Sequence, residues 1–244
     1  MSDMSAMDDQ NIKILVIVPA FNEEKSISKV IRSLYESGHN VDMVVVDDGS
    51  YDNTSKVAEK NGVKVLKLPY NLGIGGAVQT GYLYAKENNY DIAIQLDGDG
   101  QHDPAYIGDL IAPLLSGRAD MVIGSRYVKK TGYTSKLSRR IGMLFFSGLI
   151  TLLTGNPIKD TTSGFRAVNR NILEYFADNY PSDYPEVDVL VRLHKKKFKV
   201  MEIPVEMKER QGGTSSITPL RSVYYMIKVS IVLLINSIRS GALS

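Results

Sequence analysis

Short apolar runs alternate with amphipathic stretches through the first half of the chain. The run 12–19 is rich in β-branched residues and stops at a proline, which is typical of a buried parallel strand. The next stretch has Asn22 as a candidate N-cap, apolar residues on one helical face and Gly38 at its end. This pattern predicts strands at 12–19, 41–50, 63–68, 90–97 and 119–125, and helices at 22–38, 76–89 and 104–117. Such alternation predicts an α/β fold with a doubly wound, mainly parallel sheet.

The alternation ends after Ser125. Between Asp120 and Asp160 there is no acidic residue, while basic residues lead into the apolar stretch 141–153. We expect the region 133–155 to form an amphipathic helix at a membrane surface. The stretch 198–210 again has strand character, and 223–238 is apolar. Both apolar stretches are shorter than the ~20 residues that a bilayer-spanning helix needs.

Composition narrows the class of protein. The 244 residues, 43% of them hydrophobic, predict one main domain at 12–216, after a polar tail at 1–11 and before an amphipathic helix at 217–244. A net charge of +2 gives no argument for nucleic acid as a partner. The chain has no cysteine and its three histidines are far apart, which disfavours a zinc site. The acidic N-terminus lacks the features of a signal peptide, so we expect a cytoplasmic protein.

Polar clusters follow the predicted strands one after another. They occupy residues 19–23, 47–50, 71–76 and 97–103. Because ligands bind outside the carboxyl ends of strands in open α/β sheets, we expect these clusters to meet at one edge.

The segment 97–101 contains two carboxylates and an amide, on Asp97, Asp99 and Gln101. Oxygen ligands of this kind suit Mg²⁺ or Mn²⁺ bridging a diphosphate. A solvated turn is the alternative, because Asp-Gly pairs also favour turns. The position at a strand end favours the metal site.

Glycines precede one of the predicted helices, at Gly73, Gly75 and Gly76. They either let the backbone approach a nucleotide or serve a tight turn and close helix packing. Asp48 could accept hydrogen bonds from a base or ribose, and the alternative is that Asp47 or Asp48 caps a helix that starts near Asp52.

Several arginines are candidates for binding phosphate, since guanidinium forms bidentate bonds with phosphate oxygens. They are Arg126, Arg139, Arg140, Arg166 and Arg210. A solvated surface is the alternative for each of them. No Ser-His-Asp or Cys-His arrangement can be identified, which favours metal and electrostatic chemistry over covalent catalysis.

Seven motifs in order give the chain a specific resemblance: VIVPAFNEE, VVVDDGSYDNT, NLGIGGAVQTG, QLDGDGQHDP, VIGSRY, DTTSGFRA and ERQGGTSS. The chain resembles the family 2 glycosyltransferases of GT-A fold, and among them the dolichol-phosphate mannose synthase-like polyprenyl-phosphate glycosyltransferases. The resemblance extends from Lys13 to about Arg239. It implies inverting transfer of a hexose from a nucleoside-diphosphate sugar to a polyprenyl phosphate, such as undecaprenyl or dolichyl phosphate, by a metal-dependent enzyme peripheral to the inner face of the cell membrane.

The resemblance also implies roles for individual residues. The nucleotide site would comprise Pro19, Ala20, Asn22, Glu23, Asp48, Asn71, Gly73, Gly75, Gly76, Asp97 and Gly98. Asp97, Asp99 and Gln101 would hold Mg²⁺ or Mn²⁺. The catalytic residues would be Asp99, Arg126, Arg140 and Arg210, and the acceptor and sugar pocket would comprise Arg126, Arg139, Arg140, Ser163, Gly164, Phe165 and Arg166.

Two positions depart from the family pattern. Ser216 stands where relatives of the mannose synthase often carry lysine, and Leu144 stands where an acceptor-site hydroxyl is expected. The first departure favours UDP-glucose over GDP-mannose as donor.

Three other functions would use some of the same residues. The same enzyme class could use a saccharide hydroxyl as acceptor, with Asp160 or Glu186 as base. A nicotinamide-binding protein would carry its glycine-rich turn after the first strand, and an inactive sugar-nucleotide binding module would have no need of Asp97, Asp99, Arg126 and Arg210 together. The oligomeric state is open, with a homo-oligomer as one option.

Overall fold

The computed structural model describes residues 12–128, 137–182, 185–207 and 228, and in residues 137–143 it describes the backbone alone. The predicted tail 1–11 and most of 217–244 therefore lie outside the described residues. The described strands are β1 (Ile14–Ala20), β2 (Asp42–Asp47), β3 (Lys64–Lys67), β4 (Ile92–Gln95), β5 (Met121–Ser125), β6 (Arg166–Asn169) and β7 (Val200–Pro204). The helices are α1 (Ile27–Glu36), α2 (Thr54–Lys60), α3 (Gly73–Glu87), α4 (Ile107–Leu115), α5 (Leu137–Thr154), α6 (Arg170–Asn179) and α7 (Pro185–Lys195).

The seven strands form one sheet in the order β3-β2-β1-β4-β6-β5-β7. β6 is antiparallel to both of its neighbours, whereas the remaining pairs are parallel. The predicted α/β fold with a mainly parallel sheet is confirmed. The antiparallel strand was not predicted, because its four residues begin and end with polar side chains.

Side chains of the strands alternate between two cores. Along β1, Leu15 and Ile17 face the core covered by α3, α5, α6 and α7, while Val16 and Val18 face the core covered by α1, α2 and α4. This alternation follows from the two-residue period of a strand. Burial on both faces explains why the central strands have almost continuous apolar sequences.

Helix α1 starts later than the sequence pattern predicts. Asn22 has a φ of 56°, in the left-handed region that asparagine tolerates, and its side chain accepts a hydrogen bond from the Tyr51 amide. Asn22 is therefore not the N-cap, and the prediction is wrong at this point. The segment that follows is a turn, closed by the amides of Ser26 and Ile27 donating to the Glu23 carbonyl, before the helix begins.

Helix α5 falls within the predicted amphipathic region 133–155. Phe146 and Ile150 are buried in the core that α5 shares with α7, whereas Leu144, Phe145 and Leu152 are exposed. No helix in the described ranges is both long and apolar enough to cross a bilayer. The loop after α5 is held on the edge strand β7, where the Glu202 carboxylate accepts hydrogen bonds from the amides of Lys159 and Asp160, each at 2.8 Å.

Candidate functional site

The loops after β1, β2 and β4 come together at one edge of the sheet, as the strand directions require. The Asp48 amide donates to the Ala20 carbonyl at 2.9 Å, and the Gly98 amide donates to the Pro19 carbonyl at 3.3 Å. The Asn22 amide donates to the Ser50 hydroxyl at 2.9 Å. Three of the four predicted polar clusters are thus joined by direct hydrogen bonds.

Asp48 connects the fourth cluster to the others. Its carboxylate accepts hydrogen bonds from the amides of Leu72 and Gly73, at 2.7 and 2.9 Å, where α3 begins. Burial raises the pKa of Asp48, against the lowering effect of these two amides, and the neighbouring Asp47 raises it further. Asp48 therefore anchors the start of α3, and not a helix near Asp52. Its contact with a base or ribose stays a prediction.

Asp47 has a structural role in the same loop. It is buried, and its carboxylate accepts hydrogen bonds from the Ser50 amide at 3.0 Å and from the Ser55 hydroxyl. These contacts hold the loop after β2 against α2.

The glycine turn before α3 is closely packed. A Cβ on Gly75 would lie 2.3 Å from the Ser182 carbonyl oxygen and 2.4 Å from that of Pro181. Gly73 has a φ of +81°, which favours glycine. The described contacts support the packing and turn alternative for these glycines, and a contact of Asn71, Gly73, Gly75 or Gly76 with a nucleotide stays a prediction.

Two aromatic side chains lie beside this edge and were not selected from the sequence. Phe21 and Tyr51 make an edge-to-face contact with ring centroids 6.0 Å apart, and the Tyr51 side chain is 89% exposed. Glu23, by contrast, is buried and accepts a hydrogen bond from the Ser26 hydroxyl. A single aromatic in a loop carries no periodic signal, so the pair becomes visible only in the fold.

The carboxylates of Asp97 and Asp99 follow β4. Asp97 accepts a hydrogen bond from the Gln95 amide group at 3.2 Å, and its own backbone amide donates to His102 Nδ1 at 3.2 Å. Asp99 accepts from the Gln101 backbone amide at 3.0 Å. His102, which the sequence pattern left as an isolated histidine, thus orders the Asp97 backbone.

We tested whether these residues suit a divalent cation. The Asp97 side chain is 34% exposed, so its oxygens are accessible to a ligand from solvent. Within the described ranges, no group of three or more His, Cys, Asp or Glu side chains could enclose a metal ion. Two carboxylates with open positions fit a Mg²⁺-type ion that completes its coordination with water and substrate phosphates.

The segment 160–166 packs directly against Asp97. A Cβ on Gly164 would lie 2.7 and 2.8 Å from the two carboxylate oxygens of Asp97. The Phe165 ring stacks on the His102 ring with centroids 5.0 Å apart. The Ser163 hydroxyl donates to the Gly124 carbonyl at 2.6 Å, which fixes the segment to β5.

Arg126 forms a buried ion pair with Asp160. Its Nε and Nη2 donate to the two carboxylate oxygens of Asp160, each at 2.7 Å, and its backbone amide donates to the same carboxylate at 3.0 Å. Nη2 also donates to the Thr162 hydroxyl at 3.0 Å. The Asp160 side chain has no exposed surface and that of Arg126 is 10% exposed. Arg126 therefore enters the site as part of a pair of opposite charges.

Glu186 is the second carboxylate that the sequence suggested as a base. It lies in the first turn of α7 and is partly buried. Burial raises its pKa, Arg166 lowers it, and the negative charge of Asp97 raises it. Glu186 thus shares its electrostatic environment with the candidate metal ligand.

Some predicted site residues lie outside the part of the chain that the structure describes. The side chains of Arg139 and Arg140, and residues Arg210 and Ser216, lie outside the described residues. Leu144 is described, and its side chain is 61% exposed on α5. The roles of these positions stay predictions.

The sequence is similar to known proteins over most of its length. Residues 15–176 match the model of the family described as glycosyl transferase family 2. The chain is 33% identical to a UDP-N-acetylglucosamine–dolichyl-phosphate N-acetylglucosaminyltransferase of Methanococcus voltae, over 79% of this chain and 84% of that protein. It is 28% identical to a polyprenol monophosphomannose synthase of Mycolicibacterium smegmatis, over 89% of this chain and 86% of the relative.

Among solved structures, the fold is similar to glucosyl-3-phosphoglycerate synthase from Mycobacterium tuberculosis in complex with Mn²⁺, uridine diphosphate and phosphoglyceric acid. The TM-score is 0.72 at 23% sequence identity, over 93% of this chain and 78% of the other. This similarity concerns the fold alone.

Proposed function

The chain belongs to glycosyl transferase family 2, and on that premise we propose that it is an inverting, metal-dependent enzyme that transfers a hexose from a nucleoside-diphosphate sugar to a polyprenyl phosphate. The observation that carries this proposal is the packing of Gly164 on the Asp97 carboxylate. It puts the carboxylates after β4 next to the segment 160–166, which also holds the ion-paired Arg126. One edge of the sheet thus combines groups suited to a metal diphosphate with a cation suited to a second phosphate.

On the donor side, Asp97, Asp99 and Gln101 would hold Mg²⁺ or Mn²⁺. The bound cation would neutralise the diphosphate that leaves with the nucleoside. We favour UDP-glucose as donor because of Ser216, and the relatives whose names mention N-acetylglucosamine or mannose define the sugars to be tested beside it.

On the acceptor side, a polyprenyl phosphate is already an anion at neutral pH. One of its oxygens would form the new bond to the anomeric carbon while the bond from that carbon to the diphosphate breaks, with inversion. Such a nucleophile needs positioning more than deprotonation. Asp160 is committed to Arg126 by two hydrogen bonds, which is consistent with a site that needs no strong base. Arg126, Arg140 and Arg210 would bind the phosphates.

The lipid acceptor requires access to a membrane surface. The exposed side chains of Leu144, Phe145 and Leu152 give α5 an apolar face that is suited to the interface of a bilayer. We therefore propose that the enzyme binds peripherally to the membrane, on the inner face that the family resemblance implies.

Glu186 favours a second candidate function, transfer to a saccharide hydroxyl. A neutral hydroxyl needs a general base, and a carboxylate with a raised pKa is better matched to that task than an ordinary one. This alternative predicts that Glu186→Gln abolishes transfer, whereas the lipid-phosphate proposal predicts that transfer persists.

The experiment is transfer of labelled sugar from a panel of UDP- and GDP-sugars to undecaprenyl phosphate, with Mn²⁺, with Mg²⁺ or with a chelator. Asp99→Ala and Arg126→Ala test the two halves of the site, and Asp109→Ala and Arg118→Ala are matched controls at exposed positions. We expect metal-dependent lipid product from one donor, lost in the first two variants and kept in the controls. Donor hydrolysis without lipid product would reject the acceptor and favour the saccharide alternative.

A further inference from the structure

Arg166 is a buried cation at the centre of the site. It opens β6 beside Gln95 of β4, and 2% of its surface is exposed. Its Nη1 has no hydrogen-bond partner among the described residues. Burying a charge is unfavourable unless the charge is compensated. We therefore expect a buried arginine with an unbonded nitrogen to have a specific structural or functional role.

The remaining nitrogens of Arg166 connect two separate segments. Nε donates to the Ser163 carbonyl at 2.7 Å, while Nη2 donates to the carbonyls of Thr161 and Glu186, at 3.1 and 2.8 Å. Two of these carbonyls belong to the loop before β6 and the third to the first turn of α7. The planar guanidinium presents donors in fixed directions, so it fixes the loop relative to the helix.

The loop that Arg166 holds is the one that touches Asp97. Gly164 lies between the restrained Ser163 and the stacked Phe165, with no room for a side chain beside the Asp97 carboxylate. Phe165 in turn packs on His102, which accepts the Asp97 amide hydrogen. A displacement of the loop would therefore move Asp97 in two ways. Gly164 would shift against its carboxylate, and Phe165 would shift His102, which binds its backbone amide.

We infer that Arg166 is a positioning residue that holds the loop 161–165 against Asp97 and so sets the orientation of this carboxylate. The inference rests on the proposed function only where it assigns Asp97 to a metal. In this inference Arg166 acts by binding backbone carbonyls, whereas the family resemblance implies that it contacts the acceptor.

The test compares Arg166→Lys and Arg166→Leu with the control Arg170→Lys. Arg170 follows the other end of β6 and also donates to a backbone carbonyl, that of Tyr90. Hydrogen exchange is measured by mass spectrometry on the full chain. We expect exchange at residues 95–103 to rise on the order of 10-fold in Arg166→Lys and further in Arg166→Leu, with no change in Arg170→Lys. If Arg166→Leu fails to fold, Arg166→Lys still tests the positioning role, because lysine keeps the charge and some of the donors.

The second readout is binding of UDP and GDP, titrated by calorimetry with and without Mn²⁺. In wild-type protein we expect Mn²⁺ to raise the affinity for UDP or GDP. In Arg166→Lys this gain should be roughly 10- to 100-fold smaller, while the affinity without metal should stay within about twofold of the wild-type value. A lower melting temperature with wild-type exchange at 95–103 and wild-type Mn²⁺ dependence would overturn the inference and leave Arg166 a purely structural residue. If wild-type protein gains no affinity from Mn²⁺, the metal part of the proposed function fails, and the exchange data still decide the role of Arg166.

Discussion

The β1–β4 half of the site (residues 14–103) and the β5–β7 half (residues 121–207) compensate their charges in different ways. In the first, Asp47, Asp48 and Asp99 accept hydrogen bonds from backbone amides of the loops and of the start of α3. In the second, Arg126 and Arg166 are buried and bound to groups that the fold brings together. Loss of a charge of the first kind leaves backbone amides with a weaker acceptor or none, which costs about 1–3 kcal/mol. Loss of a charge of the second kind leaves its binding partner buried and without compensation.

The largest effect should follow from Asp160→Asn. The substitution leaves the largely buried Arg126 without its counter-charge, and removal of one partner of such a pair costs about 3–5 kcal/mol. Urea unfolding at neutral pH measures the change in free energy of unfolding.

Asp178→Asn is the control, because Asp178 pairs with Lys86 at the surface and is 57% exposed. Exposed pairs contribute about 1 kcal/mol or less. Equal losses in the two variants would contradict the conclusion that burial sets the cost of removing one partner of an ion pair.

Gly164→Ala tests the boundary between the two halves. The added methyl group would lie within 2.8 Å of both Asp97 carboxylate oxygens, so the carboxylate has to move. We expect transferase activity to fall roughly 10- to 100-fold, as when a supporting contact to a metal ligand is lost.

Gly148→Ala is the matched control. Gly148 lies within α5, and a Cβ there would meet nothing within 4 Å. Activity should stay at the wild-type level, and stability should rise by up to about 1 kcal/mol because alanine favours a helix. Wild-type activity in Gly164→Ala would show that the position of Asp97 is unimportant.

Asp48→Asn should have a smaller effect than Asp160→Asn. The asparagine keeps one acceptor for the amides of Leu72 and Gly73 and loses the other, a loss of about 1 kcal/mol. Removal of the charge offsets part of this loss, because burial raises the pKa of Asp48 and so disfavours its ionised form. Urea unfolding under the same conditions gives the comparison. A loss as large as that of Asp160→Asn would mean that the fold depends on the charge of Asp48 as strongly as on the Arg126–Asp160 pair.

The same contrast explains how much could be predicted from the sequence. The strands β1, β2, β4 and β5 have continuous apolar runs, and their polar ends must meet at one edge, so Asp48, Asp97 and Asp99 could be selected before the fold was known. β6 could not be predicted, because its first side chain is an arginine and its last an asparagine.

The site features that could not be predicted depend on contacts between residues far apart in the sequence. Arg126 and Asp160 are 34 positions apart, and no local pattern links them. The sequence makes Arg166 a candidate phosphate ligand because guanidinium forms bidentate bonds with phosphate oxygens, but its partners in the fold are backbone carbonyls, which any sequence supplies. Gly164 is explained by the position of Asp97 in the loop after β4, which only the sheet order brings beside the segment before β6.

Glu186→Gln should have the smallest effect, with the opposite sign. The raised pKa means that the folded state favours the protonated form, so ionised Glu186 lowers stability at neutral pH. This unfavourable contribution decreases as the pH falls and disappears at about pH 4 or below, where the folded and unfolded states are both largely protonated. We expect the melting temperature of the glutamine variant to exceed that of the wild type by about 1–3 °C at neutral pH and to equal it in acid.

Glu59→Gln, on the exposed side of α2, provides the control and should leave the melting temperature unchanged at either pH. A lower melting temperature of Glu186→Gln at neutral pH would mean that the attraction of Arg166 outweighs the burial of the carboxylate. Arg166 and Glu186 would then form a second buried pair beside Arg126 and Asp160, and the β5–β7 half would stabilise its charges by pairing alone. A gain in stability would instead show that this half keeps one carboxylate ionised at the expense of stability, next to the carboxylate proposed to bind the metal.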